Sequence, residues 1–174
     1  MKFLARSGAR TNASSHPGRS GSSGAVRRRD WLALALLTAA APLAHASAKN
    51  IVDVWKSPSC GCCGDWMKLM EAAGFRMRVH DTGNVAIRKG LSLADKFASC
   101  HTAMVEGYAL EGHVPVREVK RLLRERPKAV GLAVPGMKIG SAGMDGPAYG
   151  GRRDPYDVLL VQRDGTSSVF QTYR

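Results

Sequence analysis

Cys60-Gly61-Cys62-Cys63 places three sulfurs within four residues. The segment follows an alternating, β-branched run, Ile51-Val52-Asp53-Val54-Trp55. It opens a stretch in which Cys63, Trp66, Met67, Met70 and Ala73 recur at helical spacing. A thiol where a strand meets a helix faces unpaired backbone N–H groups and the positive end of the helix dipole, so its pKa is expected to fall. Low-pKa thiols serve two chemistries, disulfide exchange and ligation of soft metal ions. Three sulfurs this close suit a soft cation or a small cluster, because thiolates bridge metal ions and select Cu(I) or Zn.

Cys60 and Cys63 form a C-x-x-C pair that follows a strand and opens a helix, which is the thioredoxin arrangement. They are the candidate catalytic pair. Cys62 is surplus to a simple dithiol enzyme. The fourth thiol, Cys100, precedes His101 and a short apolar strand. In a thioredoxin-like fold the loop entering that strand packs against the C-x-x-C end of the first helix, and a cis-proline is usual there. Here the positions read Ser99-Cys100-His101-Thr102. A sulfur and an imidazole in that place favour metal over peptide disulfide.

Other readings of the same residues stay open. An even cysteine count in an exported chain often means structural disulfides, although a bridge within four residues closes almost no loop. Structural zinc has the right ligand types, but zinc spacings usually pair C-x-x-C with a second such pair or with two histidines. His113, within Gly112-His113-Val114-Pro115, is a further candidate ligand, and His101 is similar. Met137 and Met144 stand in an exposed, Gly-rich stretch, and thioethers are good Cu(I) donors. Met67, Met70 and Met77 read as core, and His80 as an ordinary strand-end residue.

The elements that must position these groups follow from periodicity and punctuation. Strands are expected at 51–55, 75–80, 102–105 and 108–110, and helices at 60–73, 84–93 and 115–126. Pro115 is expected as the first helical residue of the last. Its apolar stripe is Val116, Val119, Leu122 and Leu123. The tail from Lys128 is Gly and Pro-rich through Arg153 and ends in an expected hairpin, 156–162 and 166–173, around Asp164-Gly165. The order βαβαββα implies an α/β sheet with helices on both faces, plus a C-terminal extension. The organisation is then 1–46 as an export signal, 47–127 as a thioredoxin-like domain, and 128–174 as an extension contributing to the metal site.

Charge supports the leader. The chain carries 26 Lys+Arg against 14 Asp+Glu, a net +12, yet residues 1–46 hold seven of the basic residues and one acid. Arg28-Arg29-Asp30 precedes an apolar run from Trp31 to Leu43, and Ala44-His45-Ala46 fits a small-x-small cleavage site. Cleavage after Ala46 leaves about 128 residues. Arg28-Arg29 resembles a twin-arginine signal, and the apolar run suits the general export route as well. The run is short of the ~20 residues a spanning helix needs, so no stable membrane insertion is expected after cleavage. The remaining basic cluster (Arg117, Lys120, Arg121, Arg124, Arg126, Lys128) alternates with Glu118 and Glu125 and reads as a solvated helix face. No aromatic interleaving points to nucleic acid.

Four ordered blocks resemble the CopG-type family of bacterial periplasmic proteins, long known as a domain of unknown function. They are Lys56-Ser57-Pro58-Ser59-Cys60-Gly61-Cys62-Cys63-Gly64, Ala98-Ser99-Cys100-His101-Thr102-Ala103, Glu111-Gly112-His113-Val114-Pro115 and Val130 to Met137. The similarity spans residues 51–174. It implies a thioredoxin-like domain with a C-terminal extension, and copper bound at the C-x-C-C motif by Cys60, Cys62 and Cys63 with Cys100 as fourth sulfur. It also implies a role in copper resistance through interconversion of Cu(I) and Cu(II). The expected protein is a periplasmic monomer that takes copper ions and serves a copper efflux system. A thiol–disulfide oxidoreductase and a passive copper chaperone are the alternatives.

Overall fold

The computed structural model describes residues 50–174, so the expected export signal and its cleavage point lie outside the described residues. Strand β1 (Ile51–Lys56) alternates buried and half-buried side chains, as its β-branched pattern requires. A turn closed by the Cys60 N–H on the Ser57 carbonyl delivers the chain to α1 (Gly61–Ala72). Gly74 ends that helix at φ +96, a conformation open to glycine and costly for other residues. Then follow β2 (Arg76–His80), α2 (Val85–Gly90), β3 (His101–Val105), β4 (Tyr108–Glu111) and α3 (Val116–Glu125). This is the βαβαββα order expected from the sequence. Pro115 caps α3 rather than forming its first turn, a shift of one position.

The sheet has seven strands in the order β2-β1-β3-β4-β5-β6-β7, with β5 at Gly131–Ala133, β6 at Tyr156–Val161 and β7 at Ser167–Tyr173. β1 runs parallel to β2 and antiparallel to β3. The register sets Lys56 opposite His101, so the end of β1 that feeds the cysteine segment meets the start of β3. Strand β5 was not expected. Three residues are too short to show alternation, and Gly131 disguises it. That glycine pairs with Ala109 of β4 so closely that an added Cβ would overlap the Ala109 backbone. The expected hairpin forms as β6 and β7, and through β5 it continues the main sheet.

Each sheet face is covered. On one side Trp66 and Met70 of α1 and Val119 and Leu122 of α3 pack against Val52, Val54, Ala103, Val105, Leu110 and Leu132. Each fully buried aliphatic side chain there contributes about 2 kcal/mol of transfer free energy. On the other side Leu93 and Phe97 pack with Ala109, Ala133 and Val161. Met70 is core as expected, and Met67 and Met77 lie partly buried against it. The solvated-face reading of α3 fails at Glu118, which is 1% exposed. Its carboxylate accepts hydrogen bonds from the Tyr173 hydroxyl (2.6 Å) and Arg117 Nε (2.8 Å), because β7 covers that part of the helix. Among the described residues no helix is long and apolar enough to cross a membrane.

Candidate metal centre

Cys60 occupies the N-cap position of α1 with extended backbone, and its side chain makes no capping hydrogen bond. Its sulfur is therefore left for other chemistry. Cys63, one turn into the helix, is fully buried. The two form a disulfide with Cα atoms 5.5 Å apart. A bridge spanning four residues removes little chain entropy, so it is a poor staple. Cys62 and Cys100 are free thiols, both half-buried.

Cys100 reaches this group from 37 residues away. Its Sγ lies 3.6 Å from Cys63 Sγ and 4.0 Å from Cys62 Sγ, and Cys62 Sγ lies 3.7 Å from Cys60 Sγ. Cys60, Cys62, Cys63 and Cys100 thus place all four sulfurs within 4.8 Å of one another. Burial pushes the Cys100 thiol up to about 12, with the neighbouring Cys62 adding to it. A thiol so placed keeps its proton until something replaces that proton, and a soft cation is one such replacement.

The imidazoles extend the site. His113 follows β4, and its Nε2 lies 3.1 Å from Cys100 Sγ. Its Nδ1 donates to the Ala142 carbonyl at 2.8 Å. A carbonyl only accepts, so Nδ1 carries the proton and Nε2 presents its lone pair to the sulfur. Burial lowers the His113 pKa, which keeps the ring neutral. His101 is completely buried, with Nδ1 3.4 Å from Cys100 Sγ. Burial and the adjacent His113 push it down to about 3. Its Nε2 is buried with no hydrogen-bond partner among the described residues. The ring packs on Trp66 (centroids 4.4 Å apart) and against the edge of His113. Cys100, His101 and His113 make a second set of donors within 4.8 Å.

The extension borders this site. Ser99 Oγ donates to the Gly136 carbonyl, and the Gly136 N–H to Ala98, which brings the chain beside Met137 to the Cys100 segment. Met137 itself is 55% exposed. Gly143 lies against the α1 backbone at Trp66, and the next residue, Met144, is buried. Tyr149 stands near Cys62 and Asp65, and burial raises its phenol, with these two neighbours adding to it. His80 has no part in the site. It bonds Asp53 and stacks on Trp55.

The expectations left out Glu111, which lies next to Gly112 in one of the sequence blocks. It is completely buried and accepts from the Ser99 N–H (2.7 Å) and the Thr102 hydroxyl (2.5 Å). Position 111 shares a strand face with the buried Ala109, but nothing in the local pattern marks its partners Ser99 and Thr102. The donor chemistry of the whole group fits copper: thiolate sulfurs select Cu(I), and imidazole nitrogen suits copper in either oxidation state.

Comparison with known proteins agrees with this chemistry. Residues 97–144 match a family model described as "Protein of unknown function, DUF411". No curated protein matches. A solved structure titled "Copper resistance protein copG- Form 2" is 41% identical, with a TM-score of 0.66, over 71% of this chain and 98% of that one. A second, "Copper resistance protein copG- Form 1", is 41% identical with a TM-score of 0.65, over 71% of this chain and 96% of that one. At that identity and coverage the likeness extends beyond shape to descent, and the chain belongs to the CopG family of copper resistance proteins.

Proposed function

We propose that this protein binds copper ions in the periplasm through Cys60, Cys62, Cys63 and Cys100, and interconverts Cu(I) and Cu(II) there in copper tolerance. The observation that carries this reading is the convergence of four sulfurs within 4.8 Å from two distant segments. Copper is the cargo and the substrate. His113 Nε2, with its lone pair turned to the site, supplies the nitrogen donor that suits Cu(II). Met137 and Met144, on the segment bordering the site, add thioether donors from the 128–174 extension. The leader at 1–46 supports export, and the copper resistance titles of the related structures support the metal.

The electron balance is set by Cys60 and Cys63. When their two thiols close to the disulfide, two electrons and two protons are released. The electrons reduce two Cu(II) to two Cu(I), the protons leave to solvent, and Cys62, Cys100 and His113 are the donors left to hold Cu(I) once the bridge has closed. Run in reverse, two Cu(I) open the disulfide and become two Cu(II). A periplasmic copper efflux system is the fitting recipient of the product, and the protein works as a monomer.

The Cys60–Cys63 disulfide also favours a second reading, a thiol–disulfide oxidoreductase acting on proteins. Anaerobic addition of Cu(II) to the fully reduced chain separates the two. The copper reading expects two Cu(II) paramagnetic signals lost for each Cys60–Cys63 bridge formed, with Cu(I) retained by the protein. If copper is not retained and all four thiols stay reactive, while separately prepared chain carrying the Cys60–Cys63 disulfide oxidises dithiol peptides and is itself reduced, the oxidoreductase reading replaces it.

A further inference from the structure

Cys100 stands on a loop, and a loop sulfur meets the helix-borne trio only if something fixes its backbone. The two residues flanking the Cys100-His101 pair are tied to one carboxylate. Glu111 Oε1 accepts the Ser99 N–H, and Glu111 Oε2 accepts the Thr102 hydroxyl. The Thr102 oxygen in turn accepts from Asn84 Nδ2 (3.2 Å), which also donates to the Ser99 carbonyl (3.1 Å). Thr102 and Glu111 are cross-strand partners, so the carboxylate spans the β3–β4 pair and then the loop before it. The Gly112 N–H closes on the His101 carbonyl at 2.9 Å.

This is an expensive place for a carboxylate. The side chain is completely buried, and burial raises its pKa to about 7. A buried carboxylate costs several kcal/mol unless its oxygens are satisfied. An apolar residue would fill the same strand position without that cost, so fold alone does not account for the acid.

We propose that Glu111 is the positioning residue of the copper site: by holding Ser99 and Thr102 it fixes Cys100 between the α1 cysteines and His113. This rests on the copper reading above. The carboxylate touches no sulfur of the site in this arrangement and acts only through the loop. Removing it frees the Cys100 segment while leaving Cys60, Cys62 and Cys63 on their helix.

The test uses the full chain with Glu111→Gln and, separately, Thr102→Val, which cuts one of the two bonds and preserves side-chain volume. In the metal-free protein, Cys100 should alkylate faster than in the wild type in either variant, with Cys62 unchanged, because a freed loop exposes its thiol. Cu(I) affinity, measured by competition with a chromophoric chelator, should fall about tenfold. In a Cys100→Ser background the same substitutions should leave copper affinity unchanged, because the group they position is gone. A merely structural role would weaken copper equally in both backgrounds. Equal weakening, or unchanged Cys100 reactivity in both variants, overturns the proposal. Failure of the wild type to bind copper would refute the copper reading instead, and Cys100 reactivity would still decide the role of Glu111.

Discussion

Cys100 Sγ and His113 Nε2 lie 3.1 Å apart, and the other nitrogen of the same ring is bound to the Ala142 carbonyl. The carbonyl fixes the tautomer, so the lone pair faces the sulfur throughout the neutral range of the ring. His113→Ala is expected to lower copper affinity by at least about 10- to 100-fold, the range for losing even an outer hydrogen-bonding partner of a metal ligand. His113→Gln should recover little, since a Gln side chain presents no imidazole lone pair. Chelator competition on the purified chain measures both.

Burial sets the reactivity of Cys100. With its thiol pushed up to about 12, the thiolate is a very small fraction at neutral pH. In the metal-free protein with the Cys60–Cys63 bridge intact, iodoacetamide should modify Cys100 at least about a hundredfold more slowly than a cysteine in a short peptide at pH 8. The rate should climb about tenfold per pH unit toward pH 10. Mass spectrometry of timed samples follows the two free thiols separately.

His101 makes stability depend on pH. Its folded pKa is about 3, against about 6.5 for an unfolded histidine. The unfolded chain therefore binds the extra proton between those values. Stability from this ring is complete above pH 6.5 and is lost as pH falls toward 3. Glu111 acts with the opposite sign. Its raised pKa contributes stability below the ordinary carboxylate range, and that is lost as pH rises through about 7. Comparison with His101→Phe isolates the histidine. Between pH 6.5 and 4.5 the metal-free wild type should lose about 2 kcal/mol more than the variant, read from urea midpoints at each pH.

Gly143 links the extension to the site. Its φ is +79, and an added Cβ would sit 2.5 Å from the Trp66 backbone nitrogen. Gly143→Ala is expected to cost about 2–3 kcal/mol, from left-handed strain together with a backbone clash. Gly146 has open space around it and no positive φ, so Gly146→Ala should stay within about 0.5 kcal/mol of wild type. Thermal melts of the two variants make the comparison.

The cysteine spacing and the strand-to-helix junction before it were readable in sequence, because strand alternation and helical recurrence are local patterns. The meeting of Cys100 with the trio was inferred from element order and is seen in the Lys56–His101 register. Three features were not legible. Strand β5 is too short to alternate and begins on a glycine chosen for closeness to Ala109. Glu118 looked solvated because its cover, Tyr173, stands 55 residues away. Glu111 looked like the end of a strand, because its partners Ser99 and Thr102 reach it only through the sheet. Each depends on a long-range contact that no local period records.

The proposed site requires that Cys100 and the α1 cysteines hold the same copper. X-ray absorption at the copper edge, on Cu(I)-loaded wild type and Cys100→Ser, tests it directly. The wild type should show copper surrounded by sulfur, and the variant should show a smaller sulfur shell with fewer copper ions bound per chain. Indistinguishable spectra and equal copper content in the two proteins would contradict a shared site.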